Sequence, residues 1–207
     1  MIAIIDYGVG NLYSLSRSLE YIGEKAVVTK DAQTILAADK VILPGVGAFG
    51  EAMEKLNNLS LTDVVREVAS AGTPLLGICL GMQLLFDESL EFGNHKGLGL
   101  IPGRVCPLAD DVSGLKIPHM GWNRLEILKD DFFFSQIPNK DSAYVYFVHS
   151  FYAKGCEIST LAVAEYGVKV TAVVKKGNVY GAQFHPEKSG QVGLAMLKAF
   201  CETEGGK

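Results

Sequence analysis

The stretch TPLLGICLGMQLLF, residues 73–86, joins the pattern of a buried strand to the pattern of a helix at a single cysteine. Its first part, residues 73–78, has the length and apolar content of a buried strand, and the residues after Cys79 change to helical spacing. Cys79 therefore stands at a junction, between Gly77 and Gly81. Small flanking residues permit the strained strand-to-helix turn of a nucleophile elbow, so the pattern predicts a nucleophile presented above a sheet. The alternative interpretation is a buried cysteine that packs beside glycines.

The same order of strand and helix recurs along the first half of the chain. Strands are predicted over residues 2–7, 25–29 and 40–45, and helices over 11–23, 49–58, 61–72 and 80–89. Asn11 is a plausible N-cap, and Ser60 with Asp63 has the spacing of a capping box. Strands that alternate with helices indicate parallel pairing, with both faces of the sheet covered.

The second half of the chain has short strands punctuated by glycine, asparagine and proline. The segments AYVYFVHSFYAK (143–154) and VTAVVKKGNVYGAQF (170–184) read as strands, the latter with a hairpin turn at KKGN. Further strands are predicted over 98–108, 123–129 and 160–167, and a final helix over 189–204 with Ser189 as its cap. The predicted fold is an α/β three-layer sandwich around a mixed, largely parallel sheet with antiparallel additions. We expect one domain over residues 1–207.

Composition limits the possible functions. The net charge is −4, and no basic stripe with interleaved aromatics is present, so nucleic-acid binding is not expected. No signal peptide or membrane span is predicted, and the four scattered cysteines suit free thiols in the cytoplasm. The four histidines do not cluster, so no metal and no cofactor is expected.

A nucleophilic cysteine needs a base, and the segment GAQFHPE supplies His185 with Glu187 two residues later. If the backbone stays extended through Pro186, both side chains lie on one side, and the carboxylate can orient the imidazole. The prediction is a Cys79–His185–Glu187 triad. The alternative is a core histidine followed by an exposed carboxylate.

The segment LPGVGAFG, residues 43–50, follows a strand and is rich in glycine. Backbone N–H groups of Val46 and Gly47, with that of Leu80 directly after the nucleophile, could converge on an oxyanion. The alternative is a tight strand-to-helix turn. Residues 6–11, DYGVGN, lack the third glycine of a dinucleotide fingerprint, so nucleotide binding is rejected there.

With these motifs the chain resembles the triad-type class I glutamine amidotransferases, through GICLGMQ and HPE. The resemblance implies that Cys79 attacks the side-chain amide of L-glutamine and forms a γ-glutamyl thioester, while His185 relays protons and Glu187 orients it. It also implies that Gly47 and Gln83 help to hold glutamine, and that the backbone at Ser150 and Phe151 meets its α-carboxylate. The family more often has tyrosine at position 151, which leaves open any role for a phenolic hydroxyl there.

Four further segments, DYGVGN, LPGVGAF, IPHMGWN and YFVHSF, resemble members that pass their ammonia to a (βα)8-barrel cyclase in histidine biosynthesis. The resemblance places Asn11, Trp122, Tyr146 and Lys188 near the joint with that partner. From the residues alone, Trp122 fits an interface or a buried core equally, and His119 and His149 are interpreted as structural.

Three other functions stay open from the sequence. The chain could be a glutaminase that serves a different synthase, for example in surface-sugar amination. It could be a paralogue that binds but has lost turnover, although its triad residues are all present. A cysteine peptidase or esterase is the third, but no peptide groove is indicated.

Overall fold

Short apolar runs form the central strands of a nine-stranded sheet in a computed structural model, which describes residues 1–203. The strands of the first half are β1 (Ile2–Ile5), β2 (Ala26–Thr29), β3 (Lys40–Leu43) and β4 (Leu75–Ile78). The helices between and after them are α1 (Leu12–Tyr21), α2 (Ala32–Leu36), α3 (Phe49–Asn58), α4 (Leu61–Ser70) and α5 (Leu80–Leu84).

The rest of the chain, as far as residue 203, adds nine strands and one α-helix. They are β5 (Glu88–Ser89), β6 (His95–Lys96), β7 (Arg104–Pro107), β8 (His119–Ile127), β9 (Tyr144–His149), β10 (Phe151–Lys154), β11 (Thr160–Glu165), β12 (Lys169–Lys176), β13 (Val179–Ala182) and α6 (Gly190–Glu202). Among residues 1–203, no helix is long and apolar enough to cross a bilayer.

The large sheet has the order β2-β1-β3-β4-β13-β12-β11-β8-β9. The five strands from β2 to β13 pair in parallel, and the remaining pairings are antiparallel. The mixed sheet is as predicted, with antiparallel pairing as extensive as parallel pairing. Strand β13, from the second half of the chain, lies beside β4 in the middle of the sheet and joins the two halves there.

Side-chain alternation along the central strands builds a core on each face of the sheet. In β1, Ala3 and Ile5 join the core beneath α2, α3 and α4, whereas Ile2 and Ile4 join the core beneath α1 and α6. Helix α4 buries Leu61, Val64, Val65 and Val68, which recur at helical spacing. The helices therefore cover both faces, as the predicted three-layer sandwich requires.

A second, four-stranded sheet with the order β10-β7-β5-β6 was not predicted. Residues 143–154, interpreted as one strand, form two strands that separate at Ser150: β9 belongs to the large sheet and β10 to the small one. Residues 85–89 also leave the predicted helix, because α5 ends at Leu84 and Glu88–Ser89 pair as a strand. The hairpin turn at Gly177 is confirmed, with φ of 59° between β12 and β13.

Asn11, Ser60 and Ser189 lie at the N-cap positions of α1, α4 and α6, as predicted, but within the described part of the chain none of them makes a side-chain cap hydrogen bond. Ser60 lies in the left-handed region, with φ of 56°. The Ser189 hydroxyl donates instead to the carbonyl of His185 at 2.6 Å. The last residue of the predicted final helix, position 204, lies outside the described residues.

Candidate active site

Cys79 lies at the carboxyl end of β4, where β4 and β13 run side by side. Ile78 is in register with Ala182, and the N–H of Cys79 donates to the carbonyl of Ala182 at 2.8 Å. The backbone at Cys79 has φ of 54° and ψ of −111°, a strained conformation for a side-chain-bearing residue. Strand pairing holds this strain in place, which is the geometry expected of a nucleophile elbow.

The two glycines that flank Cys79 are required by close packing. A Cβ atom at Gly77 would lie 2.6 Å from the carbonyl oxygen of Gly81, and one at Gly81 would overlap the carbonyl of Leu43. Because neither neighbour is a flexible side chain, a larger residue at either position would displace the backbone. The glycines therefore let the start of α5 lie directly against the ends of β3 and β4.

His185 and Glu187 form a buried pair next to the cysteine. The Nδ1 atom of His185 lies 2.9 Å from Oε1 of Glu187, and both side chains are 3% exposed. The backbone does not stay extended through Pro186, as the sequence argument assumed, because residues Pro186–Lys188 form one turn of 3-10 helix. The two side chains meet across this turn, and the exposed-carboxylate alternative for Glu187 is wrong.

The charge on His185 is set by its two neighbours. Burial opposes protonation of the imidazole, but the neighbouring sulfur of Cys79 and the hydrogen-bonded carboxylate of Glu187 outweigh it and raise the pKa of His185 to about 10. The Nε2 atom has no hydrogen-bond partner within residues 1–203. A protonated imidazole whose Nε2 has no partner among the described residues presents a proton donor to the cleft that Cys79 lines.

A cleft of about 420 Å³ opens beside the cysteine. Every residue predicted to bind substrate or to form the oxyanion hole lines it: Val46, Gly47, Leu80, Gln83, Ser150 and Phe151. The buried Gln83 side chain donates through Nε2 to the carbonyl of Phe151 at 3.0 Å and to Oε1 of Gln183 at 3.1 Å. The structure thus brings the cysteine, the histidine and the predicted substrate-binding residues to one cleft.

Sequence reasoning missed two polar residues at this site. Gln183 is fully buried, and its Nε2 lies 3.9 Å from the sulfur of Cys79. Its position in QFHPE, directly after β13 and two residues before His185, was the available signal. Glu91 also lines the cleft, and its Oε2 accepts the N–H of Phe49 at 2.6 Å. No sequence spacing signals Glu91, because its contact joins residues 42 positions apart.

One of the three predicted oxyanion donors is occupied by a backbone hydrogen bond. The N–H of Leu80 donates to the carbonyl of Gly45 at 3.3 Å. The side chain of Val46 is exposed, and Gly47 has φ of 100°, which favours glycine. The carbonyl of Gly45 therefore engages the N–H that an oxyanion would require.

The residues predicted to face a partner lie beside this site. Trp122 on β8 is 57% exposed and contacts Tyr146 on β9 edge to face, with ring centroids 6.1 Å apart. The buried-core alternative for Trp122 is therefore wrong. Lys188 is exposed at the end of the turn that carries Glu187. Asn11 lines a cavity of about 10 Å³ together with Pro44, Gly45, Ile78, His185 and Glu187.

A larger cleft of about 690 Å³ lies elsewhere, against the end of α6. Its Lys175 is paired with Asp131 at 2.6 Å, and no cysteine, serine or histidine is among the described residues that line it. Size alone does not make it the reaction site.

A cysteine on a strained turn, next to a buried histidine–carboxylate pair on an α/β sheet, has the geometry of an acyl-transfer site. Comparison with known proteins gives the class. The family described as Glutamine amidotransferase class-I matches residues 3–203. The chain belongs to this family.

Two relatives about half identical to this chain share one name. The imidazole glycerol phosphate synthase subunit HisH of Lacticaseibacillus casei (strain BL23) is 50% identical over 202 residues, which cover 98% of this chain and 95% of that protein. The subunit of the same name from Bacillus licheniformis is 52% identical over 204 residues, with coverage of 97% and 95%.

Solved structures share the fold. A crystal structure of a glutamine amidotransferase has a TM-score of 0.73 at 18% identity, covering 97% of this chain and all of its own. The PurLQS structure from Thermotoga maritima has a TM-score of 0.72 at 19% identity, with coverage of 97% and 96%.

Proposed function

We propose that the chain is the glutaminase subunit of an imidazole glycerol phosphate synthase. It hydrolyses L-glutamine to glutamate and ammonia and passes the ammonia to a (βα)8-barrel cyclase subunit in the cytoplasm. The observation that carries the proposal is the placement of Cys79 and the His185–Glu187 pair after the carboxyl ends of the neighbouring strands β4 and β13. They lie beside a cleft lined by amide and backbone groups. The relatives named HisH support the choice of synthase. We place this activity in a single domain, residues 1–207.

The chemistry begins at the sulfur of Cys79. The thiolate attacks the side-chain amide carbon of glutamine, and the amide oxygen becomes an oxyanion. The protonated Nε2 of His185 gives its proton to the departing nitrogen, which leaves as ammonia, and a γ-glutamyl thioester remains. The neutral imidazole then takes a proton from water, whose oxygen attacks the thioester and releases glutamate. Glu187 holds the ring through Nδ1 during both transfers.

The cleft has groups for each end of glutamine. Gln183 places its amide nitrogen 3.9 Å from the sulfur, and Gln83, which lines the cleft, donates to the Oε1 atom of Gln183. The Glu91 carboxylate lines the cleft and suits the α-ammonium group, while the backbone at Ser150 and Phe151 suits the α-carboxylate. Burial raises the pKa of Glu91, and a bound ammonium would stabilise its ionised form.

The oxyanion hole is completed by one peptide rotation in this proposal. The carbonyl of Gly45 and the N–H of Val46 belong to the same peptide unit. Turning that unit over would release the N–H of Leu80 from Gly45 and bring the N–H of Val46 to the place that the carbonyl had occupied. The chain alone should hydrolyse glutamine slowly, and a partner that binds the rotated state better should activate it by its differential affinity.

Ammonia would leave on the side opposite the glutamine cleft. The small cavity that Asn11 lines also touches His185, and its volume of about 10 Å³ is close to that required by one water-sized molecule. Ammonia released at Cys79 would pass His185 into this cavity. Asn11, Trp122, Tyr146 and Lys188 would then surround the joint with the cyclase. A closed passage keeps ammonia from being protonated and lost to solvent.

The test mixes the purified chain with candidate synthase subunits, glutamine and each synthase's own substrate. We expect glutamate release to rise strongly with an imidazole glycerol phosphate synthase cyclase and to stay low with a sugar-aminating synthase. A glutamine-analogue electrophile should label Cys79 in the active complex. Activation by the sugar-aminating synthase alone would overturn the choice of partner, and failure to label Cys79 would overturn the nucleophile.

A further inference from the structure

Two buried histidines lie directly behind the glutamine cleft. His119 is the first residue of β8 and His149 the last residue of β9, and they face each other in register across the two strands. The Nδ1 atom of His119 lies 2.9 Å from Nε2 of His149. Both side chains are buried, and His149 lines the cleft itself.

The hydrogen bonds of this pair define where its protons lie. Nδ1 of His149 lies 2.9 Å from the carbonyl oxygen of Phe151, which can only accept, so Nδ1 of His149 carries the proton. In a neutral His149, Nε2 then accepts from Nδ1–H of His119. Nε2 of His119 accepts in turn from Nδ2 of Asn123, at 3.3 Å, and that amide also donates to the carbonyl of Glu165 at 2.8 Å. The chain of hydrogen bonds runs in one direction and leaves both rings neutral.

The surroundings stabilise this neutral arrangement. His119 is stacked between the rings of Phe147 and Tyr166, with centroids 4.6 Å and 4.0 Å away. Burial lowers the pKa of His119 to about 4 and, together with the nearby His119 and His185, lowers the pKa of His149 to about 3. A neutral His149 adds no second positive charge beside the protonated His185.

The His119–His149 pair contacts the neighbouring backbone at the carbonyl of Phe151. This carbonyl accepts hydrogen bonds from both His149 Nδ1 and Gln83 Nε2. The chain passes from the large sheet to the small one at Ser150, between His149 and Phe151. The carbonyl of Ser150 accepts the N–H of Leu108 at 2.9 Å, and the side chain of His149 holds the next carbonyl along the chain, that of Phe151.

We propose that His119 and His149 are positioning residues that fix the Ser150–Phe151 backbone for the α-carboxylate of glutamine. The inference rests on the proposed glutaminase function. It assigns neither histidine a proton transfer. Loss of the His149–Phe151 hydrogen bond should therefore weaken glutamine binding and leave the chemistry at Cys79 nearly unchanged.

Two amide substitutions of His149 form a matched pair. His149→Asn places an amide donor near the position of Nδ1, within reach of the Phe151 carbonyl. His149→Gln places its amide near the position of Nε2, toward His119, and leaves that carbonyl without its imidazole donor. Both variants are polar and of similar size, so they differ mainly in which of the two hydrogen bonds survives. His119→Phe keeps the stacked ring and removes the donor to His149.

The experiment uses the complex with the cyclase and measures KM and kcat for glutamine, with thermal unfolding of each variant as a folding control. We expect His149→Gln to raise KM about tenfold or more, with kcat changed by less than about threefold, since one hydrogen bond corresponds to roughly a factor of ten. His149→Asn should restore KM to within about threefold of the unaltered value, and His119→Phe should lie between them. The inhibition constant of 4-aminobutanamide, which is glutamine without its α-carboxylate, should be the same in all three variants.

Equal KM values for His149→Gln and His149→Asn, or a loss confined to kcat, would overturn the positioning role. So would equal weakening of glutamine and 4-aminobutanamide. Absence of glutamine hydrolysis by the unaltered complex would instead overturn the proposed function, so the two failures are distinguishable.

Discussion

The backbone N–H of Leu80 donates to the carbonyl of Gly45 at 3.3 Å, directly beside the sulfur of Cys79. This bond places a carbonyl oxygen where an oxyanion would need a donor. Its cause is the close approach of the 44–47 loop to α5, which Gly45 and Gly81 permit: a Cβ on Gly45 would lie 3.0 Å from the N atom of Gly81. Cys79 therefore already lies at the turn before α5, whereas the N–H of Leu80, which we propose for the oxyanion hole, is still bonded to Gly45.

Substitution of Val46 tests the peptide rotation. Val46→Pro removes the N–H that the rotated peptide would supply, so we expect kcat for glutamine in the complex to fall by ~10²–10³. KM should change little, because the donor acts on the transition state. Val46→Ala keeps the N–H and, since the Val46 side chain is exposed, should retain nearly full activity. Equal kcat values for the two variants would remove Val46 from the oxyanion hole.

The protonation of His185 gives a test by titration. Its pKa is raised to about 10, against ~6.5 for an unperturbed histidine. The ring signals of His185 in NMR spectra should therefore titrate near pH 10 in the unaltered chain, and at lower pH in Cys79→Ala, which lacks the attracting sulfur. A raised pKa stabilises the fold below ~6.5, and this contribution is lost as the pH rises through about 10. Titration of His185 near pH 6.5 in the unaltered chain would refute the charge interactions of protonated His185 with Cys79 and Glu187.

The two members of the buried pair should differ in their effect on rate. His185→Ala removes the group to which we assign both proton transfers, and a general acid–base contributes ~10²–10⁴ in rate, so kcat should fall by that order. Glu187→Gln keeps an oxygen that can accept from Nδ1 of His185 and removes the charge, so the loss should be smaller. Steady-state glutamate release from the complex measures both. Small and equal losses would contradict the assignment of His185 and Glu187.

Lys188 tests the sealed passage for ammonia. Its side chain is exposed and, within residues 1–203, has no ion-pair partner in its own chain, so it is available to a partner. Lys188→Ala should weaken the binding of the cyclase by about 2 kcal/mol if the lost contact is desolvated, and by far less if the contact lies at the rim of the interface. We expect glutamate to form in excess of imidazole glycerol phosphate.

The control for Lys188 is Lys198→Ala, an exposed lysine on α6 whose contact is Glu202 at 4.0 Å in the same helix. Both products are counted in one assay at saturating cyclase, which excludes simple dissociation. A one-to-one ratio in Lys188→Ala, equal to that of Lys198→Ala, would mean that Lys188 does not seal the passage.

Much of the fold could be predicted because single elements carry their own signal. The periodic apolar residues of α4 and the buried run of β4 needed no tertiary information. The cysteine between two glycines predicted the elbow, since only small residues fit where Gly81 meets Leu43. The partnership of His185 and Glu187 was also predicted, although the turn that joins them was not.

The remaining features depend on contacts between distant segments. The break at Ser150 is hidden because both strands that flank it have the same apolar, β-prone composition. Glu91 and the His119–His149 pair acquire their partners only when separate strands and loops meet. Ser189 was interpreted as a helix cap, but tertiary structure gives its hydroxyl the carbonyl of His185 instead. Local patterns therefore predicted the strand-to-helix turn at Cys79 better than the residues that surround it.

The most direct measurement of the central claim is synthesis by the complex that contains Cys79→Ala, with glutamine and with ammonium salts as separate nitrogen sources. Cys79 is assigned to ammonia release and takes no part in ring formation, so synthesis from glutamine should disappear while synthesis from ammonium continues at the unaltered rate. Glutamine hydrolysis by this variant at nearly the original rate, or equal loss of synthesis from both nitrogen sources, would contradict the account.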